Sequence, residues 1–381
     1  MSAPNAHDGT TQPRATLTMR GGGWVILLAI ALVLLIIVWA TLAPMLGKRH
    51  LGDGHTIESY GFQLTPLLVE RTDLQPSGNP RDFLPALDVQ STVRGSEQAV
   101  YNESHRSRYV VSRDRVFGLV HNGEARAYPI SLLNGHEVIN DTLGGEAIVI
   151  AYSPFCDAPV AFSRVVDGST LQFGVSGLLC ESSLVLYDRA LDGSDPMRHE
   201  ASLWSPLLME AISGPFAARG VQLTPLPNAC TTTWADWLHA YPATTLPERD
   251  LGAIRRYKSI SYARNYLSPR LDFPVSPIPS AQELSALGLS MKSPCIAVWI
   301  HEKWRALSIE RLLRVSTTQE VRIAAVEVDG VMIDVVLPDG PGVARATRRD
   351  GEPLTAIPCL LYAYRAFLNP QGACEVLPIT P

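Results

Sequence analysis

At 381 residues, 46% hydrophobic and 18% charged, the chain exceeds the usual size of one domain and can bury a sizeable core. The net charge of −5 and pI near 6.0 exclude the basic face of a nucleic-acid binder. Its Lys/Arg runs stop at pairs such as Arg255-Arg256 and Arg348-Arg349.

Residues 1–23 are polar and end in Gly21-Gly22-Gly23, which reads as a disordered N-terminal tail. Trp24–Met45 is an uncharged apolar run, long enough for the roughly 20 residues that cross a bilayer. Trp24 and Trp39 suit the two interfaces. The run exceeds a signal-peptide core, and Pro44 after Ala43 is a poor cleavage context, so residues 24–46 are expected to be an uncleaved anchor. Arg14 and Arg20 before the span nearly balance Lys48 and Arg49 after it. The short end is expected inside, and the large C-terminal domain extracytoplasmic, on the periplasmic side of the cell membrane.

Residues 47–80 read as a linker. Short runs rich in Val, Ile, Phe and Tyr follow: Val116–Val120, Ala147–Tyr152, Val160–Val165, Leu171–Val175 and Leu184–Tyr187. Asn122-Gly123, Gly144-Gly145 and Asp167-Gly168 favour hairpin turns between them. Helical patterns are fewer, at Pro129–Leu133, Thr233–His239 and Ala356–Phe367. The expected class is a β-rich α+β fold with few helices.

Phe117–Asn134 aligns without a gap on Ile296–Leu313, with Arg126 on Arg305 and Leu133 on Leu312. Weaker matches follow in the same order, which suggests two diverged, duplicated halves, barrel-like or sandwich-like. The expected organisation is a first half, 81–245, with an insert at 174–227, a connecting segment at 246–290, and a second half, 291–381. The second copy lacks counterparts of His136, Cys156 and most of the insert, so any site is expected in the first half.

The candidate groups are His136, Cys156 and Cys180. A histidine titrates near neutral pH and ligates metals, and a soft thiolate beside an imidazole suits a transition metal such as copper or zinc. Two ligands are too few for a closed zinc site, so a third is needed from Cys180, Glu137, Asp157 or the insert. Asp157 beside Cys156 disfavours the thiolate unless a cation is present. Cys156 and Cys180 could instead form a disulfide. None of the six cysteines, which include Cys230, Cys295, Cys359 and Cys374, forms a Cys-x-x-Cys. Asn140-Asp141 reads as a turn pair that bonds its own backbone. Arg126, which recurs as Arg305, reads as scaffold, and His199-Glu200 as a solvated loop. Ser176 lacks a Gly-x-Ser-x-Gly context.

Several stretches then become recognisable together: Asn122–Pro129, His136–Asp141, Tyr152–Pro159, Phe173–Leu179, Tyr187–Arg189, Ser202–Ser205, Ile212–Pro215, Trp234 with Trp237, and Ser268–Val275. Through them the chain resembles the bacterial uncharacterised domain family DUF3179 over about residues 80–375. The resemblance implies a fold and a genus, not an activity. Many members of that family carry Cys-Pro-x-Cys where this chain has Ser153-Pro154-Phe155-Cys156, which removes a dithiol couple at this position. Two functions are therefore expected to compete. One is a tethered protein with a small-ligand or metal site around His136 and Cys156. The other is a non-catalytic module that binds another envelope protein.

Overall fold

The structure, a computed structural model, describes residues 23–46, 51–105, 108–189, 201–248, 260–315, 322–340 and 342–372. Of the predicted tail at 1–23 all but Gly23, which begins a helix, lies outside them, as do the loop with His199-Glu200 and Cys374. Two compact units are present, Met1–His50 and Leu51–Pro381.

In the first unit Gly23–Leu46 forms one helix of 24 residues with no charged residue in either end turn. Its side chains are described from Trp24 to Trp39, and every one of them is exposed. Among the described residues no helix is long and apolar enough to cross a membrane.

The second unit is β-rich, with few and short helices. Its sheets are mostly antiparallel meanders, because tight turns join successive strands. Asn122 (φ 47°) and Gly123 (φ 81°) turn the hairpin Arg115–His121/Glu124–Pro129, as their left-handed preference predicts. Gly144-Gly145 does the same between Val138–Leu143 and Glu146–Ser153. Asp167-Gly168 joins the short pair Val165–Val166 and Ser169–Thr170. The stretch Gln172–Cys180 is longer than predicted and pairs with Ser183–Arg189.

The segment read as a linker belongs to this unit from Leu51 onward. Its Leu74–Pro76 adds an edge strand to Gln172–Cys180, and Tyr60 is fully buried. Most of the insert forms the rest of that sheet, through Leu203–Ser205 and Glu210–Ser213.

The predicted helix over Ala356–Phe367 needs correction. Ala356–Leu360 is a strand paired with Pro294–Ile300, and helical turns begin only at Leu361. A run of apolar residues buried on both faces has no period to separate strand from helix. Asn140 and Asp141 sit inside the strand Val138–Leu143 rather than in a turn, although Asp141 does accept from the neighbouring Thr142 N–H at 2.7 Å. Asn140 bolts that strand to Phe173, donating to its carbonyl at 2.9 Å and accepting from its N–H at 2.9 Å.

The two stretches that align in the sequence form the same order of elements. Hairpin Arg115–His121/Glu124–Pro129 with helix Ile130–His136 has the same element lengths as hairpin Pro294–Ile300/Lys303–Ser308 with helix Ile309–Val315. The two regions are not independent bodies. One apolar cluster joins Val149, Phe173 and Trp204 to Cys295, Ala306 and Tyr364.

Candidate functional site

Among the described residues seven acids have positive φ, and three of them, Glu137 (φ 58°), Asp157 (φ 47°) and Glu181 (φ 54°), sit at chain reversals that one further segment reaches. Non-glycine residues rarely adopt this conformation, and such strain tends to gather at functional positions. Glu137 ends the helix Ile130–His136. Asp157 turns the hairpin between Glu146–Ser153 and Ala158–Ser163, and Glu181 the one between Gln172–Cys180 and Ser183–Arg189.

The segment 260–277 bonds to all three turns. Tyr262 donates to Glu137 Oε1 at 3.4 Å, and the Ser276 N–H to Glu181 Oε1 at 2.8 Å. Tyr266 donates to the Pro154 carbonyl at 2.8 Å, and its hydroxyl lies 3.1 Å from that of Tyr152. Tyr152 in turn donates to Asp157 Oδ1 at 3.0 Å, while Arg115 pairs with Asp157 Oδ2 at 2.8 Å. Phe155 packs edge-on against Tyr262 and Phe273. Burial pushes the Glu137 carboxyl up to about 8, opposed by the Tyr262 hydroxyl. Burial likewise pushes Glu181 up to about 7, against the Ser276 N–H.

The sequence-predicted groups flank this cluster. His136 is buried, and its Nδ1 lies 2.6 Å from the Pro85 carbonyl. A carbonyl only accepts, so Nδ1 carries the hydrogen. Cys156 is fully buried, within 3.6 Å of the Ser182 carbonyl and 3.7 Å of the Tyr362 hydroxyl. Burial pushes its thiol up to about 11 and that of Cys180 to about 12, so neither is a ready nucleophile. Both thiols are free. Cys180 lies in a separate apolar cluster with Tyr60 and Tyr187. Among the described residues no three His, Cys, Asp or Glu side chains are grouped to hold a metal ion.

A family model described as "Protein of unknown function (DUF3179)" matches residues 81–337. The chain belongs to this family. No curated protein and no solved structure matches it. The family match therefore carries the three acidic turns and Tyr262, Tyr266 and Ser276 within its bounds, but assigns them no chemistry.

Other residues of the family match are structural. Arg126 pairs with Asp141 at 2.6 Å and also donates to the Thr142 carbonyl, while Tyr128 donates to Asp141 at 2.7 Å. Ser176 donates to the Val185 carbonyl at 2.6 Å. Trp204 and Trp237 are fully buried.

Sequence reasoning missed a second feature. Trp299 and Trp304 face each other across the hairpin Pro294–Ile300/Lys303–Ser308, with ring centroids 5.2 Å apart. They line a cleft of about 410 Å³ with Met209, Gln222, Leu223 and Thr355. Trp299 is 42% exposed, uncommon for so large an apolar side chain. Its only sequence signal was two tryptophans five residues apart across a turn without glycine, His301-Glu302, both at positive φ.

Proposed function

We propose that this chain is a membrane-tethered, extracytoplasmic binding module without a catalytic role, and that the Trp299/Trp304 cleft receives an uncharged apolar group of another envelope component. One contrast carries the reading: the chemically able side chains face inward and bond to one another, while Trp299 stands open to solvent over a half-buried Trp304. The cleft residues are apolar, amide or hydroxyl in character, with no charged side chain, which fits a neutral ligand. Its volume falls in the range of ligand pockets, and tryptophan is the residue most enriched at binding hot spots. The two aligned units suggest a duplicated ancestry in which only the later copy acquired the aromatic pair.

The tether rests on the first unit. The described side chains of the helix cover sixteen positions, and the sequence continues without charge to Met45. At 1.5 Å per residue the uncharged run Trp24–Met45 would rise about 33 Å as a helix, comparable with a hydrocarbon core of about 30 Å, although its described side chains alone fall short of a span. A helix that is apolar on every face needs an apolar surrounding.

Placing a photo-crosslinking residue at Thr224, on the cleft wall, tests the proposal in cells. A discrete adduct is expected that disappears when Trp299→Ala and Trp304→Ala are combined. No adduct, or one indifferent to both substitutions, would overturn the cleft reading.

A second reading keeps a metal at His136, Cys156 and Cys180. The Nδ1–H bond to a backbone carbonyl favours it, because metal-ligating histidines orient themselves in this way. Against it, the two thiols sit in different apolar clusters. Metal analysis of the full chain in detergent, wild type beside His136→Ala, separates the two readings.

A further inference from the structure

We infer that Cys295 and Cys359 are joined by a disulfide in the mature protein, a modification that rests on the extracytoplasmic location proposed above. The two residues are register partners on the antiparallel strands Pro294–Ile300 and Ala356–Leu360. Their sulfurs are 3.7 Å apart, and both thiols are free. Opposed residues on antiparallel strands have Cα atoms about 4.5–5.5 Å apart, inside the range a disulfide accepts. Small side-chain rotations can therefore close the remaining gap without moving either strand.

No other thiol pair is so placed among the described residues. Cys156 is engaged by Ser182 and Tyr362, and Cys180 belongs to a different cluster. Cys230 packs with Trp234 and Trp237.

The chemistry is thiol–disulfide exchange with a small-molecule or protein disulfide as oxidant. The thiolate of one cysteine attacks a sulfur of that oxidant, forming a mixed disulfide and releasing one thiol. The second cysteine thiolate then attacks the protein sulfur of the mixed disulfide and expels the other thiol. The two cysteines lose two electrons and two protons, and the oxidant becomes two thiols. Cys295 and Cys359 are only 2% and 3% exposed, so exchange must precede the final packing of these strands. Extracytoplasmic compartments supply such oxidants, whereas the cytosol keeps thiols reduced.

The bridge would do more than join two strands. The strand of Cys359 runs on into helical turns from Leu361, where the Tyr362 hydroxyl donates to the Phe155 carbonyl at 2.8 Å. The link thus ties the second hairpin to the cap over the Asp157 turn. It also closes a loop spanning 64 positions, which contains the sheet Arg322–Val328, Val331–Leu337 and Arg345–Arg348.

The test has two arms on the full chain in detergent. Protein isolated from the envelope is alkylated without reduction and mapped by mass spectrometry. A peptide pair linked through Cys295 and Cys359 is expected, lighter than the two free peptides by two hydrogens, with Cys156, Cys180 and Cys230 alkylated. In the second arm, reduced and unfolded protein is refolded in a glutathione redox buffer, where the same link should form regardless of compartment. Reduction should lower the wild-type Tm by about 5 °C or more and leave that of Cys295→Ala unchanged. A link in the refolded protein but not in the envelope-derived protein would overturn the extracytoplasmic location, and with it the cellular bridge. No link in either arm, or one joining Cys156 to Cys359, would overturn the pairing itself.

Discussion

The hairpin–helix of Arg115–His136 and that of Pro294–Val315 have the same element lengths and opposite surroundings. In the first, Gly118 lies so close to Trp237 that a methyl group there would overlap the indole. The aligned residue in the second is Ala297, also fully buried but with room for its methyl group. Arg126 is paired inside the protein with Asp141, whereas its counterpart Arg305 reaches Asp329 at a half-open surface. Val120 and Ala125 in the first unit stand where Trp299 and Trp304 stand in the second. One backbone unit thus serves as buried scaffold in one place and as the wall of a cleft in another. Expecting chemistry only in the first unit overlooked that surface.

The comparison breaks most visibly at the arginines. Arg126→Ala would leave Asp141 buried and unpaired, with side-chain exposures of 9% and 2% across the pair. A loss of about 3–5 kcal/mol in denaturant unfolding is expected. Arg305→Ala, at 21% and 34%, should cost about 1 kcal/mol or less. Equal losses would mean that the two units are not differently embedded.

The end of the helix Ile130–His136 offers a pH test. Glu137 is raised from 4.5 to about 8, so the folded state holds a proton that the unfolded state releases between those values. Stability from this group is complete below about pH 4.5 and declines as pH rises toward 8, by about 5 kcal/mol over the window. Glu181 adds a decline of the same sign between 4.5 and about 7. Glu137→Gln should flatten the larger part of the slope and stabilise the protein at pH 8, with little change at pH 4. An unchanged profile would show that this carboxyl is not protonated in the fold.

The smallest stability effect is expected at the second unit's surface. Trp299→Ala removes a side chain that is already 42% exposed and should cost about 1 kcal/mol or less, while weakening the Thr224 adduct that the double substitution abolishes. A loss of several kcal/mol would make Trp299 a core residue and the cleft a packing flaw.

Much of the strand layout was legible from the chain, because Asn-Gly, Gly-Gly and Asp-Gly pairs mark turns by a local backbone preference. Residues 356–360 were misread because a strand buried on both faces has no polar period to distinguish it from a helix. Glu137 and Asp157 were noted only as spare ligands, and Glu181 drew no notice, since a left-handed φ at an acid leaves no mark in composition. Tyr262, Tyr266 and Ser276 were invisible as their partners, lying about a hundred or more positions away from them.

The amino-acid order alone determined the family, the β-rich class, the uncharged N-terminal run and the recurrence of a hairpin–helix unit. Each of these is a local pattern, set by turn preference, apolar spacing or unbroken hydropathy. Tertiary packing decided which hairpin is buried, which thiols face each other, and which indole meets solvent. Those outcomes depend on pairing between strands far apart in the chain, and no local propensity records them.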